Sequence, residues 1–195
     1  MSQLDAPTRS RRIGVLPAAV AMGALVAVLW VLEGIDQATG NSLDPYGIQP
    51  RQLDSLDNVL YAPWLHSGFA HLVSNTVPFF VLGVIVLMDG WGRWLRASLV
   101  VVLVSGAAVW LFSPAGSLTL GASGVVFGWL TFLMVRGLYS RSPGQVATGV
   151  VLFLFYGGLL WGVLPTDAGV SWQAHAGGAL GGVLAARGAR GRRPD

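Results

Sequence analysis

Read for polarity alone, the chain alternates between long apolar runs and short breaks rich in Arg, Asp, Gly and Pro. Six runs reach or approach the length needed to cross a hydrocarbon core about 30 Å thick: positions 14–34, 69–88, 94–112, 121–138, 145–164 and 172–188. Each predicts a membrane-spanning helix, and together they predict an all-α, polytopic six-span bundle. The expected organisation is a tail over 1–13, a membrane domain over 14–188 and an Arg-rich tail over 189–195. One connection is long: 34–64 carries Asn41, Pro45, Gly47 and Pro50 as breakers. Within it Leu53, Leu56, Val59, Leu60 and Trp64 recur at helical spacing, which predicts an amphipathic helix at the membrane surface.

Composition fits that reading, with 53% hydrophobic and 11% charged residues against about 25% charged in soluble domains. All 12 basic residues are Arg, and they stand between the runs. Arg9, Arg11 and Arg12, then Arg93 and Arg96, then Arg136 and Arg141, then Arg187, Arg190, Arg192 and Arg193 fall on one side of an even number of spans, and Arg51 on the other. The positive-inside rule puts both termini in the cytoplasm. The pI near 10 thus reflects topology, and no nucleic-acid partner is expected. Although the first run begins like a secretory signal, it is long and no clear cleavage site follows, so it reads as an uncleaved anchor. The absence of Cys excludes thiol catalysis, disulfides and thiolate metal sites. Arg without Lys, with heavy Ala, Gly and Val usage, suggests a high-GC bacterial source, and hence the inner membrane.

Against this background a few polar residues stand out. Gly121-Ala122-Ser123-Gly124 puts a hydroxyl at the start of the fourth run, and His175 sits among small residues in the sixth. Counting back from Arg136 and Arg187 at 1.5 Å per residue places Ser123 and His175 roughly 20 and 18 Å from the cytoplasmic edge. The same count from Asp89 puts Asn75 and His71 at about 21 and 27 Å. Side chains from three spans therefore share one layer, and polar groups inside spans mark functional sites by default. A serine hydroxyl needs a base to become a nucleophile, and imidazole has suitable basicity. The oxyanion of an acyl transfer needs donors, which His71, Asn75 and the Ser123 backbone N–H at a helix start supply. Ala174, Gly178 and Gly182 on one run and Gly124 and Gly128 on another would let two backbones approach closely. Phe127, one turn after Ser123, could stack on His175. The runs bearing these groups contain no acid, which leaves Asp167 in the preceding outer loop as a candidate to orient His175.

Other chemistries fit less well. HExxH is missing and no in-span carboxylate completes a His-based metal site, so no metal or cofactor is expected. A transporter would call for an acidic coupling residue in a span.

Taken in order, His66, the HxxxN of His71 and Asn75, the GxSG of Gly121 to Gly124, and Ala174-His175 followed by Gly178 and Gly182 resemble the rhomboid intramembrane serine proteases from about Trp30 onward. The resemblance implies Ser123 as nucleophile, His175 as base and then acid, and an oxyanion site from His71, Asn75 and the Ser123 N–H. It further implies hydrolysis of peptide bonds in transmembrane protein substrates near the outer surface, with the lipid bilayer as the other partner. A re-entrant loop over Ser113–Leu120 and a gating fifth helix belong to the same expectation. Two positions depart from the family: Phe127 stands where a tyrosine is common, and the Trp-Arg pair of the first outer loop is absent. The alternative within the fold is a catalytically inactive relative that binds membrane segments.

Overall fold

The structure, a computed structural model, describes residues 12–165 and 169–188. It is helical throughout, in a multi-pass membrane architecture: α1 (Val15–Ala38), α2 (Asn58–Tyr61), α3 (Phe69–Leu87), α4 (Trp91–Phe112), α5 (Ser123–Ser140), α6 (Pro143–Tyr156) and α7 (Trp172–Gly188), with four 3-10 turns among the described residues. Six of these helices follow the six apolar runs. Among the described residues four segments are long and apolar enough to cross a membrane: α1, α3, α4, and α6 with the 3-10 turn Gly157–Val163 that continues it. The other two, α5 and α7, are the ones that carry Ser123 and His175.

Helix α5 is the axis of the bundle. Its Val125, Val126, Trp129, Leu130, Phe132 and Leu133 are buried, and it packs against α7, α6, α3 and α4. Helix α7 wedges between α5 and α4, because small residues line both of its inner edges. A Cβ added to Gly178 or Gly182 would overlap the Gly124 or Gly128 carbonyl oxygen of α5, and one added to Gly177 or Gly181 would press on Ser105 or Val101 of α4. Two hydroxyls fasten the wedge. Ser105 Oγ donates to Ala174 O at 2.8 Å and Thr131 Oγ1 to Ala179 O at 2.8 Å. Interhelical bonds of this kind contribute about 0.6–2 kcal/mol each in a membrane.

The long loop differs from its expected form. Instead of one amphipathic helix it contains the 3-10 turn Leu53–Ser55, the single-turn α2 and the 3-10 turn Ala62–Trp64. The expected apolar face divides between buried Val59 and exposed Leu53, Leu56 and Leu60. Fixed polar bonds take precedence over helical continuity here. Asn58 Nδ2 donates to Gly47 O at 2.8 Å, and Ile48 pairs with Thr119 in an antiparallel bridge. Arg51 donates to the Leu111 and Ser113 carbonyls at the end of α4, at 3.2 and 2.9 Å. Arg51 thus caps a helix C-terminus, where orphan carbonyls and the negative end of the dipole favour a cation.

At the opposite end Asp89, in the α3–α4 turn, pairs with Arg136 of α5 and Arg93 of α4. Arg136 is buried, and its guanidinium also lies over Phe132. Asp167, Arg9, Arg11, Arg190, Arg192 and Arg193 lie outside the described residues.

Candidate active site

A cavity of about 730 Å³ opens between α3, α5, α7 and the 113–120 loop. Ser123, His175, His71 and Asn75 all line it, so the four polar residues matched in depth by the sequence share one space. The expected re-entrant segment forms part of its wall through Ser113, Pro114, Ser117, Leu118, Thr119 and Leu120.

Ser123 is the first residue of α5, immediately after the turn Gly121-Ala122. That turn is fixed from two sides. Gly121 has φ +128°, a conformation favouring glycine, and its N–H donates to Ala62 O at 2.9 Å. The Ala122 N–H donates to His66 Nε2 at 3.4 Å. His66 is therefore an acceptor on Nε2 and carries its proton on Nδ1. Burial, and next the nearby His71, push its pKa down to about 4, which preserves that neutral form. A Cβ on Gly121 would meet the His71 ring at 2.6 Å, so the missing side chain leaves room for the imidazole. The His71 ring also lies edge-on to His66, with centroids 5.2 Å apart. The Ser67 hydroxyl sits 3.2 Å from His71 Nδ1.

His175 is held in one orientation by two contacts. Its ring stacks flat on Phe127, with centroids 4.0 Å apart and planes 8° from parallel. Its Nδ1 lies 2.9 Å from the Gly162 carbonyl oxygen. A carbonyl only accepts, so Nδ1 carries the proton and Nε2 keeps its lone pair. The orienting acceptor sought in a carboxylate is thus available from the backbone of the 3-10 turn after α6. Among the described residues Ser123 Oγ makes no hydrogen bond, with His175 or any other group. Such contacts are often long in unliganded sites and tighten when substrate binds. Asn75 is buried, and its Nδ2 donates to the His71 carbonyl one turn back at 3.0 Å, leaving its second amide hydrogen uncommitted. Pro78, also on the cavity wall, lacks the N–H that would bond the Ser74 carbonyl.

The description Rhomboid domain belongs to a family model that matches residues 54–191. The chain belongs to the rhomboid family. An uncharacterized protein of Mycobacterium tuberculosis is 41% identical over 169 residues, covering 83% of this chain and 70% of that protein. Another, of Mycobacterium leprae, is 40% identical over 185 residues, covering 91% and 73%. Rhomboid protease GluP of Bacillus subtilis is 33% identical over 125 residues, which is 63% of this chain and 24% of that protein. The rhomboid match contains His71, Asn75, Ser123 and His175 and leaves α1 outside it.

Three features of this rhomboid site carried little or no signal in the sequence. The Gly162 contact uses a backbone carbonyl, which no residue pattern encodes. Ser105 looks like any serine in an apolar helix, and only the Ala174 carbonyl opposite it reveals its part. Arg51 stands apart from the other arginines in the sequence, but its target lies some 60 residues away.

Proposed function

We propose that the protein is an intramembrane serine endopeptidase that hydrolyses peptide bonds of transmembrane substrates with Ser123 and His175 as a dyad. The observation that carries this reading is the fixed imidazole, stacked on Phe127 and bonded through Nδ1 to Gly162, with its basic nitrogen free in the cavity that Ser123 lines. His175 Nε2 takes the Ser123 proton as Oγ bonds to the scissile carbonyl carbon. The oxyanion is met by the Ser123 N–H, Asn75 and His71, in a site that fixes its donors in advance. The imidazolium then protonates the leaving amine as the C–N bond breaks. Water, losing its proton to His175, attacks the acyl-enzyme and releases the acid, and Oγ recovers its proton. His66, Gly121 and Gly124 hold the turn and the first residues of α5, while Gly178 and Gly182 hold α7 against them.

In this reading all six long helices cross the bacterial inner membrane with both termini cytoplasmic, and cleavage occurs toward the outer face. The test is cleavage of a single-pass substrate in proteoliposomes by wild type, Ser123→Ala and His175→Ala. Wild type is expected to cut, and both variants to lose at least about 10³-fold. Equal cleavage by wild type and either variant refutes the dyad. A wild type that retains the substrate without cutting it supports the inactive, segment-binding alternative.

A further inference from the structure

Among the described residues the cavity wall carries one carboxylate. Asp44 begins the 3-10 turn Asp44–Tyr46 of the long loop and lines the same cavity as Ser123 and His175, whose wall has no Arg or Lys among the described residues. Its Oδ1 is shielded from water and has no hydrogen-bond partner, and neither has Glu33 Oε2 nearby on α1. Asp36, whose Oδ1 accepts the Leu43 N–H at 2.7 Å, completes a group of three acids. No ion pair joins any of the three among the described residues. The Asp44 carboxyl is held above the usual range, first by burial and then by the charge of Asp36. Two acids thus stand behind a third on the cavity wall, with no cation paired to them among the described residues. A carboxylate in that position gains most from an incoming cation and loses most from an incoming anion.

We propose that Asp44 is a specificity residue that selects substrates carrying an Arg or Lys side chain beside the scissile bond. The inference rests on the protease reading and deepens it by naming a substrate class. It also has a topological consequence. Basic residues are sparse on the outer flanks of membrane segments, so a preference for one there would separate a few substrates from the bulk of single-pass proteins. Charge-assisted hydrogen bonds are strong enough to give roughly tenfold discrimination or more.

The experiment uses one cleavable transmembrane parent and a series in which each position around its cleavage site carries Arg, Gln or Glu in turn. At one or more positions, wild type should cut the Arg form about tenfold faster than the Gln form in kcat/KM, with the Glu form slowest. Asp44→Asn should reduce the Arg to Gln ratio toward one, and Asp44→Arg should favour the Glu form. Each ratio is taken within one variant, so a smaller folded fraction does not change it. Equal rates for Arg and Gln at every position, or a ratio unchanged in Asp44→Asn, would overturn the assignment while leaving the protease intact. Failure of the parent to be cut at all would instead refute the protease reading, and the inference with it.

Discussion

Helices α6 and α7 are neighbours of α5 with opposite characters. Among its residues α6 buries Gly149 and Leu152, and it turns Val150, Val151, Phe153, Leu154 and Phe155 outward. By contrast α7 buries Ala174, His175, Gly177, Gly178, Gly181, Gly182 and Ala186. The helix that reads as a strong membrane span is the loosely packed one, and the one that reads weakly is locked into the bundle. The reason is physical. Lipid is as apolar as leucine, so bulky apolar residues gain nothing by leaving it, and helices associate where small residues let backbones touch and exchange hydrogen bonds. Hydropathy therefore finds the lipid-facing surface, while the spacing of glycines finds the core and the site within it.

The largest effect should come from breaking the tight side. Gly178→Val would force its side chain into the Gly124 carbonyl, and a shift near 1 Å in a reacting constellation can cost about 10²-fold. We expect cleavage to fall by at least that factor in a protein that still inserts and purifies, as followed by initial rates in detergent. Unchanged rates would mean that the α5–α7 distance does not set the geometry.

A smaller effect should arise where the loose side reaches the site. A Cβ on Gly162 would sit 3.0 Å from the Phe127 ring and 3.1 Å from His175 Nδ1. Gly162→Val should turn the imidazole and lower kcat about tenfold or more, with KM little changed, because in the proposed mechanism the base acts only in the chemical steps. Leu154→Ala, on the 74% exposed position of α6, should stay within about twofold of wild type in the same assay. Equal losses in the two would erase the contrast between the lined and the lipid-facing sides of this region.

The smallest effect is a pH dependence of stability. His66 has a folded pKa of about 4 against 6.5 for the free side chain, so the unfolded chain binds its proton first as pH falls. Its contribution is complete above about pH 6.5 and is lost toward pH 4, a swing of about 3 kcal/mol. His66→Asn, which keeps an acceptor but cannot titrate, should flatten the fall in thermal midpoint over that window. An identical fall in both proteins would show that burial of His66 is not its source.

The sequence disclosed five of the six helices to within about a turn, since apolar length and Arg placement are local properties; the end of the fifth run, Gly157–Val163, is a 3-10 turn that continues α6. Counting along the helices also grouped Ser123, His175, His71 and Asn75, which line one cavity. The long loop was not legible. Its shape depends on Arg51 reaching the end of α4, on Asn58 binding Gly47 and on Ile48 meeting Thr119, all contacts between distant residues. The orientation of His175 escaped for the same reason, since Gly162 lies on a different helical segment. Phe127 was the exception, where helical spacing alone suggested a ring on the same face as Ser123 and the stack on His175 is present.

The central claim is that His175 makes Ser123 a nucleophile, and covalent labelling tests it most directly. Wild-type protein treated with a fluorophosphonate at neutral pH should gain one adduct by intact mass, located at Ser123 after digestion. Ser123→Ala should gain none, and His175→Ala should react at least about 10²-fold more slowly. Labelling of Ser123 at equal rates with and without the imidazole, or an adduct elsewhere in the chain, would contradict the dyad.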